Sequence, residues 1–528
     1  MKTVAHLRSF ALTASLASVL GAAPALSADL VIGSSTEPSA LDPHFSRTGN
    51  NQNAAAQIFD RLITPDPNLQ VTPSLAESWQ NVDPTTWRIK LRSGVTFQDG
   101  TPLTAEDVIY SLNRAKDIPN SPAPFTGNVG AIAGMTVIDP QTIEFRTKGP
   151  TPDFIEQVGL VYIVQKKLAE GKTIEAFNSG AAAVGTGPYK VKEWVPGDHI
   201  TLVRSDKYWG PKPAFENVTI KFIANDAARV AALRSGSVDL IDAVPPGDIK
   251  SLSNIKGLRL SSIASARVVY LALDSSRDES PFVVGADGKP LNPNPLKDVR
   301  VRQALSKLIN RQLIVNRILD GAGEPAGQIV PEGIAGADPS LKPTAPDMPG
   351  AKKLLADAGF PQGFGLTIHT SNDRFAGDAE TAQAIGQMFS QGGIKVNGVV
   401  AQPYNVYASA AGRQQFSAFI FSLGNTTPTS ATGLRNLLMT PDRDAGTGSF
   451  NRTRYSNARF DAKMKEATAE FDQQKRVSLL QEATRIAMED VGVVPLFWPK
   501  VYWASKENIT YTANRGEDVM ATLAGLKQ

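Results

Sequence analysis

The chain contains no cysteine. That excludes disulfides, thiolate metal sites, a cysteine nucleophile and a lipid-modified cysteine behind an export signal. It also leaves the chain indifferent to an oxidising compartment. Histidine is scarce: there are 4, His6, His44, His199 and His369, and none stands in an H-x3-H or H-E-x-x-H spacing, so a histidine-built metal site has no support. Gly171-Lys172-Thr173 copies the end of a phosphate-binding loop, but Lys166 stands where the first glycine is needed. Gly185 and Gly187 lack the third glycine of a dinucleotide fingerprint, because Lys190 occupies its place. There is no G-x-S-x-G elbow, and no carboxylate spacing singles out a glycosidase pair. The chain shows no internal repeat, and no low-complexity tract or bilayer-length apolar run after residue 28.

What is there begins with an address. Residues 1–28 open with Lys2 and Arg8, run through an alanine-rich apolar stretch and end in small residues at Ala25-Leu26-Ser27-Ala28. This is the pattern of a secretory signal peptide, with cleavage after Ala25, Ser27 or Ala28. Its removal takes away two cations and no acid, so the formal charge falls from +3 to +1. A near-neutral mature chain gives no reason to expect a nucleic-acid partner. A signal without a lipid anchor fits a free protein of the Gram-negative periplasm. The full 528 residues, 42% hydrophobic, exceed one ordinary domain.

Periodicity then places the elements. Residues 29–33 read as a buried strand, and 51–63 as a helix with Ala55, Ile58, Phe59 and Leu62 inward. Residues 87–91 alternate as a strand, and Thr104 with Asp107 approximates a capping box before a helix carrying Val108, Leu112 and Ala115. Residues 135–145 form a hairpin around Asp139-Pro140, and short helical pieces follow near 152–158 and 164–177. A second hairpin spans 189–195 and 200–204, turning at Pro196-Gly197-Asp198. Strands are expected at 218–223, 238–240, 267–273, 366–370, 394–400, 416–423 and 493–497. Helices are expected at 227–234, 299–310, 351–358, 379–390, 457–471 and 473–490. The later strand–helix–strand alternation indicates an α/β unit.

Three ordered blocks carry a resemblance. Gly185-Thr186-Gly187-Pro188-Tyr189 is followed by Asp206-Lys207-Tyr208-Trp209. Leu75-Ala76-Glu77-Ser78-Trp79 runs on through Trp87, Gly94-Val95-Thr96-Phe97, Asp99-Gly100 and Thr104-Ala105-Glu106-Asp107. Pro295-Leu296-Lys297-Asp298-Val299-Arg300 opens the third, and Glu37-Pro38 with Leu41-Asp42-Pro43 precedes them all. Together they resemble the family 5 solute-binding proteins, the extracytoplasmic peptide-binding receptors of ABC importers. The resemblance covers nearly all of residues 29–510. It implies an α/β, two-lobed periplasmic-binding-protein fold of the large cluster C type (type II-like) with an extra subdomain in the first lobe. It implies a first lobe of 29–265 with an insertion at about 67–184, a second lobe of 266–494, and a return to the first lobe over 495–528. It also implies a peptide or peptide-like ligand, permease subunits of an ABC importer at the inner membrane as partners, a monomer, no cofactor and no catalysis.

Such a receptor closes about a hinge when a ligand contacts both lobes, and the ligand shifts the equilibrium by its differential affinity for the closed form. The resemblance places candidate ligand contacts only by region. Phe45, Thr48, Asn50 and Asn53 lie after the first strand, and Thr186 and Gly187 in the central turn. Asn372, Asp373 and Arg374 follow a strand end, where α/β ligands bind, and Arg374 suits a bidentate carboxylate. Tyr404 and Tyr407 could stack on a ligand or be core aromatics. Leu423, Gly424, Asn425 and Thr426 stand where peptide-binding relatives commonly carry a Trp and an Asp, the acid pairing with the ligand's α-amino group. Here the nearest following acid is Asp442. That departure admits a modified peptide, an opine-like conjugate or an oligosaccharide, which neutral amides and hydroxyls bind equally well. A secreted hydrolase is the reading from another class, and it finds no positioned nucleophile or metal.

Overall fold

The computed structural model describes residues 29–372, 374–425, 427–442 and 445–527, with the backbone alone at Asn405. The expected signal peptide, Asp373 and Thr426 lie outside the described residues.

A sheet of 13 strands organises the chain. Its first strand, Asp29–Ser34, is flanked in parallel by Asn217–Phe222 and by Leu240–Ile241. Leu30 and Ile32 on it are fully buried, as the apolar run requires. On the outer side Asn217–Phe222 pairs antiparallel with His199–Arg204, which pairs with Tyr189–Val195, so the expected hairpin forms this edge.

The long strand Val494–Lys506 joins the two ends of the sheet. Its residues 500–506 pair with Leu258–Ala264, and its first residues, 494–497, pair with Arg267–Leu273. Ser265 and Ala266 carry the chain across between those two strands. The Ser265 amide donates to the Pro499 carbonyl at 2.9 Å, and the Ala266 amide donates to the Arg515 carbonyl at 3.1 Å. Beyond the crossing, Arg267–Leu273 pairs with Ala418–Gly424, followed by Gly365–Ser371 and Lys395–Gln402. The strand at the C-terminal end runs far past the expected 493–497. Pro495, inside the expected run, sits at a register shift against Tyr270, where the ladder asks for no donor.

Alternation along Arg267–Leu273 splits two cores. Val269, Leu271 and Leu273 face the helices Val299–Leu308 and Asp378–Gln391. Val268, Tyr270 and Ala272 face Tyr404–Gly412, Ala431–Leu438, Ala458–Ala469 and Gln473–Glu489. Truncating a fully buried leucine such as Leu271 to alanine costs about 2–5 kcal/mol. Helices thus cover both faces of the sheet, as in an α/β unit. The helix Tyr404–Gly412 and the strand Leu258–Ala264 escape the periodicity reading, the first because its alanines and glycine leave no apolar stripe.

Four more strands, Ala76–Asp83, Thr86–Leu91, Thr142–Thr147 and Ile132–Asp139, form a separate antiparallel sheet in that spatial order. Ala105–Ala115 lies over it with Val108, Leu112 and Ala115 buried. Its capping box is formed: the Thr104 amide donates to Asp107 Oδ2 at 3.0 Å. Two contacts tie this sheet's core to the C-terminal helices. Trp87 meets Phe471 with centroids 6.4 Å apart, and Arg476 lies 3.6 Å from Glu156.

Candidate ligand-binding site

The central turn is built for close approach, not exposure. A Cβ on Gly185 would sit 2.0 Å from the Ile58 carbonyl oxygen, and one on Gly187 would sit 2.5 Å from the Ile58 carbonyl carbon. Gln98 stitches the turn down: its Nε2 donates to the carbonyls of Ile58, Gly187 and Tyr189, and its Oε1 accepts from the Gly185 amide. Thr186 is 2% exposed, and its hydroxyl donates to Asp60 Oδ2 at 2.9 Å. Trp209 Nε1 donates to the same oxygen at 2.8 Å. Burial pushes the Asp60 carboxyl up, against those two hydrogen bonds. Thr186 and Gly187 are therefore committed to internal partners.

The post-strand segment has the same character. Glu37 Oε1 accepts from Trp194 Nε1 and from the Gly197 amide, clamping the hairpin turn. Arg114 forks onto both oxygens of Asp42 at 2.8 and 2.5 Å and also meets His44 Nδ1 at 3.0 Å. Burial, then Arg114, lowers His44 to about 4 and keeps it neutral. Phe45 is half-buried, its carbonyl accepting from Ser121. Thr48 is exposed ahead of the helix Gly49–Ile58 and donates to Asn51 Oδ1. Asn50 Nδ2 donates to the Glu37 carbonyl. Asn53 Oδ1 accepts from the Val519 amide at 3.2 Å, which moors the C-terminal segment beside the crossing.

At the crossing the character changes. Arg267 opens the strand Arg267–Leu273 and forks onto Glu517 at 3.1 and 3.2 Å, whose charge holds its guanidinium up. Its strand partner is Gly424, where an added Cβ would lie 3.5 Å from Arg267 Nη2. Arg374 lies over the Tyr404 ring at 5.0 Å, and Tyr404 meets Phe421 with centroids 6.0 Å apart. Arg452 lies over that same Phe421 at 4.1 Å and over Phe450 at 5.7 Å. Tyr270, beside Arg452, is pushed up to about 12 by burial, so its hydroxyl stays protonated. Arg452 Nε and Arg515 Nη1 are buried without a hydrogen-bond partner. Among the described residues, only Arg267 of Arg267, Arg374, Arg452 and Arg515 has a carboxylate within 4.0 Å. Asn425 is buried and spent locally: its amide donates to the Ala266 carbonyl and its Nδ2 to those of Thr427 and Thr429. Leu423 packs half-buried against the core. Tyr407 is core, its hydroxyl donating to the Ile420 carbonyl.

The structure thus gathers Arg374, Tyr404 and Gly424 of the sequence-picked residues at one place. It adds Arg267, Arg452 and Phe421, which nothing in spacing marks, and the Arg515 backbone lies beside the crossing at Ala266. Phe45, Thr48, Asn50, Asn53, Thr186 and Gly187 belong to the other half of the sheet. Guanidiniums held on aromatic faces with free N–H groups form a site for carboxylates and other planar anions.

Residues 70–444 match the family described as bacterial extracellular solute-binding proteins, family 5 Middle. The chain belongs to that family. This family 5 protein is 28% identical over 505 residues to the glutathione-binding protein GsiB of Salmonella paratyphi A, covering 94% of each chain. Against the GsiB of Escherichia coli K12 the identity is 26% over 491 residues, with 91% of each covered. Among solved structures, it is similar to the periplasmic binding protein DppA from Helicobacter pylori in complex with the peptide STSA. That match has 23% identity, 95% and 98% coverage and a TM-score of 0.76. AgaA from A. tumefacien in complex with agropinic acid follows, with 24% identity, 95% and 99% coverage and a TM-score of 0.74. The two-lobed α/β architecture and the family resemblance read from the three motif blocks are both borne out. Family 5 members are solute-binding receptors. Among the described residues, no helix is long and apolar enough to cross a membrane, and no cluster of three potential metal ligands occurs.

Proposed function

We propose that this protein is the periplasmic receptor of an ABC importer, exported by its N-terminal signal, and that it captures a peptide-like solute by a carboxylate at the strand crossing. The observation that carries the reading is the pair of Arg374 over Tyr404 and Arg452 over Phe421, with a buried N–H of Arg452 that has no acceptor among the described residues. The lobes divide at Ser265-Ala266 and near Pro499, with the four-stranded sheet as an insertion in the first lobe. A solute touching both halves favours their closure, and the permease reads the closed monomer as loaded. No chemistry is done on the solute, and no cofactor takes part.

A second reading keeps the site and changes the solute. The residues from Leu423 to Asn425 offer no acid for a free ammonium, which suits an opine-like conjugate or an N-blocked peptide. The likeness to AgaA, solved with agropinic acid, supports the conjugate, and the likeness to the glutathione-binding GsiB proteins supports the peptide-like solute. Native mass spectrometry of the protein purified from a periplasmic extract tests both. A retained peptide-like acid supports the first reading and an opine the second. A retained uncharged oligosaccharide, or consumption of the released solute by the protein, contradicts the carboxylate-capture account.

A further inference from the structure

A cavity of about 640 Å³ opens on the second half of the sheet and shares no residue with the crossing cluster. Its size falls in the range of small-molecule sites. Its floor is aromatic: His369 stacks on Phe416 at 4.2 Å and 18°, and Phe282 meets His369 at 4.8 Å. Phe282 is 45% exposed although it is large and apolar, and Val400 beside it is also exposed. Phe282 (φ 63) and Gln414 (φ 60) are both held in left-handed backbone, which is unfavourable for a non-glycine residue and persists where surroundings enforce it. This backbone presents the Phe282 ring to the cavity instead of burying it.

The polar groups of the cavity are unevenly satisfied. His369 is 4% exposed, yet among the described residues its Nδ1 has no partner. Burial lowers His369 to about 4, so the ring is neutral, and in the tautomer protonated on Nε2 its Nδ1 is an acceptor. Gln402 Oε1 is a second buried acceptor without a partner. A buried acceptor left unmade is costly, and a ligand N–H would recover that cost. Around the rim the charge is positive. Arg277 is neutralised by Asp274 and spends its other N–H groups on the carbonyls of Gln414 and Phe416. Arg413 is exposed and its only side-chain partner among the described residues is Ser409. Among the described residues, no acid lines the cavity.

We propose that this cavity is a second ligand site, distinct from the crossing cluster, for a small flat aromatic acid that carries a ring N–H, the chemistry of an indole carboxylate. The ring lies against Phe282 and His369, the N–H donates to His369 Nδ1 or Gln402 Oε1, and the carboxylate faces Arg413.

The test is calorimetry and ligand-detected NMR on the mature protein, with indole-3-acetate as the probe. Indole (no carboxylate) and 1-naphthaleneacetate (no N–H) serve as comparators. Saturable one-to-one binding is expected, weaker for both comparators. His369→Phe keeps the stack, removes the acceptor and should weaken indole-3-acetate by at least about tenfold. Arg413→Gln, at an exposed position that folding does not need, should weaken it severalfold and flatten its salt dependence. Arg374→Gln with Arg452→Gln should leave it unchanged, so failure here is separable from failure at the crossing. No saturable binding at millimolar probe overturns the proposal. So does unchanged affinity in both His369→Phe and Arg413→Gln, or loss of binding in the Arg374/Arg452 variant.

Discussion

The central turn and the strand crossing lie in one sheet and treat their polar groups in opposite ways. At the turn, Thr186, Asp60, Trp209 and Gln98 all find partners, and both glycines are pressed on Ile58. At the crossing, Arg452 keeps a buried N–H without one among the described residues, while its neighbours are the aromatic faces of Phe421 and Phe450. The turn carries the denser family motif, yet its geometry is that of a staple. The crossing carries no motif visible in sequence, yet it holds the unspent binding capacity. A dense motif here goes with internal pairing, whereas the crossing keeps a buried donor on an aromatic face, which is why the proposed capture is placed there.

The comparison breaks first at Gly185. Gly185→Ala forces a Cβ to 2.0 Å from the Ile58 carbonyl oxygen, so stability should fall by about 3 kcal/mol or more. Chemical denaturation measures this, and a fall below 1 kcal/mol would mean that the turn has slack.

The contact between the small sheet and the C-terminal helices gives a pH signature of similar size. Burial raises Glu156 from 4.5 to about 7, opposed by Arg476 and aided by Asp153. The folded state therefore holds a proton that the unfolded chain releases. Stability from this group is full below about pH 4.5 and declines as pH rises toward 7, by at most about 3 kcal/mol in total. Urea midpoints of the native protein and of Glu156→Gln from pH 5 to 8 should diverge in slope, the variant being the flatter. Parallel profiles would remove Glu156 as the cause.

At the crossing, Arg452→Gln should cost solute affinity about 10- to 100-fold, the worth of a charge-assisted bond, while leaving the unfolding midpoint unchanged. A drop in stability with unchanged affinity would make Arg452 a staple like the turn. The smallest effect belongs to Thr186→Val, which removes one hydrogen bond to Asp60 and should cost about 1–2 kcal/mol with no change in solute affinity.

Much of the architecture was legible because its signals are local. The Thr104–Asp107 box, the Gly236 helix stop at φ 78 and the hairpin around Gly197 each declare themselves within a few residues. The length of the strand Val494–Lys506 was not legible, because Pro499 ends the apolar run in sequence, whereas in the fold it pairs with Gly323 and the strand continues along Leu258–Ala264. Of the site, Arg374 and Tyr404 could be picked from a strand end and an aromatic pair. Arg267, Arg452 and Arg515 could not, since the fold brings them together from three distant segments. A search for arginines without an acid nearby in sequence would have kept Arg267 and Arg452 among many others and lost Arg515, which Glu517 follows two residues on; only packing on Phe421 separates Arg452 from the rest. The residues from Phe45 to Asn53 looked like contacts because they are polar and follow a strand, but helix entry and the Val519 mooring already use them.

The central claim is that the solute is held by its carboxylate at the crossing, between the two halves of the sheet. A crystal structure of the protein with the solute identified from its periplasmic preparation tests it most directly. The account predicts a carboxylate within about 3 Å of Arg374 or Arg452, with further contacts from the half that contains Asn53 and Arg515. A solute seated away from these arginines, or touching one half only, would contradict it.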